Sequence, residues 1–132
     1  MPPDRYQPLL QLIHGRAGDS FRAAIWYDED EWVVLHMRDD VATDQLRDSI
    51  PELADRVRAA EPLVPTTSYD QIGETQAVVE LHDRAVLLHF RETDTRGIVV
   101  SLDRDVAQGL GQFVNSCNEV LEADGEPDGS TN

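Results

Sequence analysis

The sequence predicts an α+β domain: one five-stranded antiparallel sheet with helices on both faces, in the order α-β-β-α-β-β-β-α. Three observations carry that prediction. Residues 76–91 read as a hairpin that accepts a single register. With Asp83-Arg84 as the turn, Leu81 faces Val86, Val79 faces Leu88 and Ala77 faces Phe90, whereas a one-residue slip would set Glu80 against Val86 or Leu88. Residues 21–27 and 32–37, rich in β-branched and aromatic side chains, flank the charged run Asp28-Glu29-Asp30-Glu31 and read as a second hairpin. Finally, Val106, Leu110, Phe113, Val114, Cys117, Val120 and Leu121 recur at the helical period.

Taken in order, the chain starts with a short helix over 8–14, with Pro8 in its first turn, Leu9, Leu10, Leu12 and Ile13 as its apolar stripe and Gly15 as its C-cap; residues 16–20 form a loop. In the first hairpin Tyr27 pairs with Trp32, Ile25 with Val34 and Ala23 with His36 on one face, and Trp26 with Val33 and Ala24 with Leu35 on the other. Both faces are apolar, so both need cover, from helices or from another subunit. The middle helix carries Leu46, Ile50, Leu53, Ala54 and Val57 at spacings of three and four. Pro51 inside it would cost about 3 kcal/mol. A capping box at Ser49 and Glu52 therefore gives a short helical piece before Ser49 and a main helix from 50 to 60, a single kinked helix being the alternative. Residues 61–73 form a long connection containing Tyr69, of a length that usually covers or binds something. A fifth strand over 97–102 precedes the last helix, whose stripe is expected to be buried, and residues 123–132 read as a disordered acidic tail after a single domain spanning 1–122.

The charge balance sets 26 acidic residues against 11 basic ones, all arginine, for a net charge of -15. Molar salt screens such self-repulsion within about 3 Å. The acids are spread along the chain instead of forming a block, and no basic stripe exists for phosphates, which argues against nucleic-acid binding. No stretch approaches the ~18 apolar residues of a membrane span, and the N-terminus lacks a signal-peptide core, so a cytoplasmic location is expected.

No catalytic constellation emerges. Cys117 is alone and lies on an apolar stripe, where an inert, buried thiol is expected. Gly109-Leu110-Gly111 lacks the context of a nucleotide loop, and no lysine exists to serve one. His82 and His89 sit about 13 Å apart along the hairpin, too far to share an ion, so no metal and no cofactor is expected; Glu80 and His89 make a diagonal cross-strand pair. Two uses remain. Trp26 or Trp32, with Ile50, Leu53 and Val57 on the middle helix, could form an oligomer interface, since tryptophan is enriched at interface centres. Alternatively, Tyr69, Glu80 and His89 would line a small-molecule pocket under residues 61–73.

The lysine-free, acidic composition resembles that of short, uncharacterised haloarchaeal proteins, and the element order from Pro8 to Leu121 resembles that of roadblock and related profilin-like domains. Placing the middle helix on one face of the sheet and the terminal helices on the other would cover both dry faces; the second resemblance implies dimerisation and a scaffold or regulatory role. The expected function is thus a non-catalytic interaction domain, a homodimer, with a ligand-sensing module as the alternative.

Overall fold

A computed structural model describes Asp4, residues 6–64 and residues 71–124. The elements follow the expected order. They are α1 (Tyr6–Ala17), β1 (Phe21–Tyr27), β2 (Trp32–Met37), α2 (Asp44–Ala59), β3 (Val78–Leu81), β4 (Ala85–Arg91), β5 (Gly97–Asp103) and α3 (Gln108–Asp124), with 3-10 turns at Gly18–Ser20 and Arg104–Ala107. The five strands form one antiparallel sheet in the order β2-β1-β5-β4-β3.

α1 covers one face of this sheet. Phe21, Ala24, Trp26, Ile98, Val100 and Leu102 pack there with Tyr6 as the main core, and Trp26 is only 2% exposed. Burial of this apolar surface is the dominant favourable contribution to folding. α1 runs three residues past the expected end, through Gly15. A glycine inside a helix costs about 1 kcal/mol, and here Ile13 and Ala17, both packed on the core, hold the helix across it. The left-handed break comes instead at Gly18, where φ is +55°. At its other end the Tyr6 hydroxyl donates to the Glu92 carboxylate.

The hairpin β3–β4 has the register its sequence demands: Leu81 opposite Val86, Val79 opposite Leu88, Val78 opposite His89, with His82 N–H donating to the Ala85 carbonyl at 2.8 Å across the turn. Pairing stops at Val78, so the expected Ala77–Phe90 pair is absent. In the β1–β2 hairpin Tyr27, Trp26 and Ile25 pair as expected, but Ala24 then faces His36 and Ala23 faces Met37. The extra residue, Leu35, makes a bulge. It lets the His36 ring lie 4.1 Å from the Phe21 ring and its Nε2 reach the Phe21 carbonyl at 3.1 Å, while Leu35 still packs on the core. The turn between these strands needs no glycine because the Asp28 carboxylate accepts from the N–H groups of Asp30 and Glu31, both at 2.9 Å.

α2 lies on the opposite face, where Ala23, Ile25, Tyr27 and Val99 are buried, and it buries Ile50 and Ala54. The two expected helical pieces are one helix that begins at Asp44 and runs through Ser49. Thr43 is its N-cap, its hydroxyl accepting from Leu46 N–H at 3.2 Å. Ser49, expected as the cap, instead donates its hydroxyl to the Leu46 carbonyl at 2.7 Å, and Pro51 sits inside a continuous helix. Burial of Ile50 and Ala54 on either side of the proline offsets the missing hydrogen bond. At the C-terminus Arg91 reaches from β4 and donates to the Val57 carbonyl at 2.7 Å and to that of Ala60. Arg58 in turn donates to the Asp28 and Glu31 carbonyls at 2.7 and 3.1 Å, tying α2 to the first hairpin.

α3 departs most from expectation. Its helical periodicity is real, but its apolar stripe is not buried: Leu110 is 50% exposed, Phe113 67%, Val120 62% and Leu121 66%. Cys117 is exposed as well, contrary to the buried thiol expected. The helix is anchored through its first turns. Arg104 donates to the Gly111 carbonyl at 3.2 Å, to Asn115 Oδ1 at 3.0 Å and to the His82 carbonyl at 2.6 Å. A side chain at Gly111 would meet the Arg104 guanidinium at 2.8 Å, so glycine there gives the arginine its place. The helix continues through Asp124, taking up the first two residues assigned to the tail; the rest of that tail lies outside the described residues.

Candidate functional site

α2 covers only part of its face of the sheet. Beside it runs a trough over β3, β4 and β5. Its largest section has a volume of about 490 Å³ and is walled by Leu53, Val57, Val78, Glu80, Leu87 and His89. It continues toward Pro62 and Arg91 in a section of about 170 Å³, and toward Arg22 and Ser101 in one of about 270 Å³. The period-2 alternation of β4 places Leu87 and His89 on this face, and Val99 of β5 adjoins them.

The trough's polar centre is the pair Tyr27–His89. Tyr27 Oη lies 2.6 Å from His89 Nε2, and Tyr27 is wholly buried. Burial raises the phenol above its ordinary pKa of 10.0, against the opposing Arg91 and Arg58 charges. Burial also lowers the His89 imidazole below 6.5, and the Arg91 charge lowers it further. Both groups are therefore neutral at neutral pH. Since the buried hydroxyl must donate somewhere, it donates to Nε2, leaving the imidazole proton on Nδ1. Gly97 makes this pair possible, because a Cβ there would sit 2.7 Å from Tyr27 Oη and 2.5 Å from the Phe90 carbonyl oxygen.

The expected site residues divide. Glu80 and His89 do line one cavity, together with Leu53 and Val57, which had been assigned to an interface. Glu80 and His89 hold the expected diagonal placement across the strands, His89 opposite Val78, but the Glu80 carboxylate is engaged elsewhere. Glu80 faces Leu87 across the strands, and its carboxylate meets His82 Nε2 at 2.8 Å on the exposed rim. Tyr69 lies outside the described residues. Trp26 and Ile50 belong to the interior of the single chain, at 2% and 1% exposure, and neither is available to a partner; Trp32 is partly exposed at the sheet edge. Among the described residues no group of three metal-ligating side chains is assembled, and no helix is long and apolar enough to cross a membrane. Sequence reasoning missed Tyr27 as the partner of His89, and also Arg91 and Arg104. The strand order that brings β1 and β4 to either side of β5 is what creates these contacts, and no local pattern encodes it.

A second polar cluster sits at the opposite end of the sheet. Arg38 forks onto Asp103 at 2.8 and 3.1 Å, onto Asp40 at 2.5 and 3.0 Å, and onto the Asp19 carbonyl at 2.7 Å. The Arg38 hydrogen bonds hold both carboxyls below the usual carboxylate range, and the carboxylates raise Arg38. Acid is expected to weaken the fold in two windows. His89 has a depressed folded pKa, so the unfolded chain takes up its proton first and stability declines as pH falls below about 6.5. Asp103 and Asp40, also depressed, contribute stability that is present above about pH 4 and lost as pH falls through their folded values. Thermal melts across pH check both: His89→Phe should remove the upper decline and Asp103→Asn should flatten the lower one. An unchanged profile in either variant would refute the corresponding assignment.

Fold and site together define a small single-sheet α+β domain with a trough beside its second helix. The sequence profile of one family, described as Domain of unknown function (DUF7522), matches residues 7–122, and the chain belongs to that family. No curated protein matches it.

Proposed function

We propose that this chain is a non-catalytic protein-interaction domain that works as a homodimer, in the salt-rich cytoplasm of a halophilic archaeon and with a roadblock-like architecture. The observation that supports it is the exposed stripe of α3. A helix with Leu110, Phe113, Val120 and Leu121 half or more in water is a surface awaiting cover. The net charge of -15 with arginine as the sole basic residue supports the halophilic setting.

Light scattering coupled to size exclusion in about 2–3 M KCl tests the reading, that salt suppressing the charge repulsion that could split a dimer. The expected mass is twice the 14.8 kDa of the chain. Phe113→Glu should give a folded monomer, whereas Leu53→Glu should remain dimeric. A wild-type chain that is monomeric and folded in that salt would sink the homodimer. It would favour the second reading, a ligand-sensing module using the trough that Glu80 and His89 line; a screen that finds no small molecule displaced by Leu87→Trp would then dispose of that one too.

A further inference from the structure

Besides the trough, two apolar surfaces are left open, and they meet at one turn. One is the α3 stripe. The other is a groove on the α1 side of the sheet, about 240 Å³ in volume, walled by Leu9, Leu12, Ile13, Leu88, Phe90 and Leu102. Val106, in the turn that leads into α3, stands at its edge. We propose that these are the two halves of one interface, formed by reciprocal exchange: α3 of each copy lies in the α1-side groove of the other. This rests on the homodimer reading and specifies its geometry.

Four observations on the molecule select a second copy's α3 as the occupant. The first is need. A 17-residue helix carrying Gly109 and Gly111 is marginal in water by itself, so its stripe must be covered for the helix to persist. The second is fit. Along α1 the groove extends from Leu9 to Ala17, about 12 Å at the helical rise, and Phe113, Cys117 and Val120 span about 10 Å of α3. The third is charge: the stripe from Leu110 to Leu121 carries no charged residue, and Glu119 and Glu122 lie on the other side of the helix, so no carboxylate is driven into the apolar groove. The fourth separates a second copy from the chain's own helix. Arg104 ties Gly111 and Asn115 of α3 to itself and, through the His82 carbonyl, to the β3–β4 turn, which holds the helix in its outward position and away from its own groove. A two-fold arrangement uses each contact twice and covers all four surfaces.

The single native cysteine, midway along the α3 stripe, supplies the test. Leu12→Cys is made in the full chain, oxidised mildly in about 3 M KCl and run on a non-reducing gel. The expected result is a covalent dimer joined between Cys117 and the introduced cysteine, absent from the wild type and from the Leu12→Cys/Cys117→Ser double variant. Phe113→Glu should raise the dimer dissociation constant at least about 30-fold. Leu9→Cys is the second position should Leu12→Cys lose its far-ultraviolet circular dichroism. A disulfide within one chain, seen as a faster-migrating monomer, would mean that α3 folds back on its own groove and would overturn the proposal. So would wild-type dimers linked through Cys117 alone, which mean α3 pairs with α3, and so would a dimer that forms no mixed disulfide with either variant or ignores Phe113→Glu; in these cases the homodimer itself stands. Absence of any dimer by light scattering removes both.

Discussion

Trp26→Ala is expected to cost about 3–5 kcal/mol, a large share of the 5–15 kcal/mol that holds a domain of this size together. The indole belongs to the α1-side core, with Trp26 opposite Ile98 and next along its strand face to Ala24, and its removal leaves a cavity that two flanking strands cannot close. Trp26→Phe separates packing from polarity. The indole N–H has no hydrogen-bond partner among the described residues, and phenylalanine deletes that buried donor while keeping much of the ring. Its expected loss is therefore smaller, about 1 kcal/mol. Urea titrations of the three chains at fixed high salt give the comparison. A Trp26→Ala chain that keeps its urea midpoint but loses oligomeric mass would show that the indole serves an interface, and the core assignment would fail.

Gly97→Ala is expected to cost about 2–3 kcal/mol, an effect with no counterpart in helix or strand propensity. The new methyl would sit against the Phe90 carbonyl oxygen and Tyr27 Oη at distances no Cβ adopts, and two of the three nearest atoms are backbone of β4. Either β4 and β5 move apart at their Arg91–Gly97 pair or Tyr27 turns from His89. The two responses are distinguishable. Loss of the Tyr27 bond alone would move the His89 ring resonances, measurable by proton NMR of the imidazole, and leave the β4–β5 amides protected. A Gly97→Ala chain as stable as the parent, with His89 unmoved, would refute the close approach.

Most of the fold was legible because the strands carry their own register. In residues 78–91 a one-residue slip puts Glu80 among the apolar partners, so the sequence admits one hairpin, and the structure has it. The bulge at Leu35 was not legible. It depends on His36 reaching Phe21, a contact made only once β1 and β2 are paired. Pro51 misled for a related reason: its local penalty argues for a helix start at Ser49, while burial of Ile50 and Ala54 decides for continuity. The site was half legible. Alternation put Glu80 and His89 on one face, which suffices to make them neighbours of the same trough, but the Tyr27 hydroxyl arrives from β1 across β5. The α3 stripe illustrates the limit of periodicity. A 3.6-residue repeat says that a helix has an apolar side, and it does not say whether its own chain supplies the cover.

The arginines have a consequence for how the molecule responds to its solvent. Arg58, Arg91 and Arg104 each span two or more main-chain carbonyls and so join segments far apart in the chain: α2 to the first turn, β4 to the end of α2, and the second turn to α3. A planar guanidinium can bridge such separated acceptors at once, which a lysine ammonium does poorly. Carbonyl oxygens are neutral, so these seams have no opposite charge for dissolved ions to mask, and their strength lies in short directional contacts that sit well inside any screening length. These three joints are thus insulated from ionic strength, while the Arg38–Asp103 ion pair and the carboxylate-rich exterior remain free to respond to it.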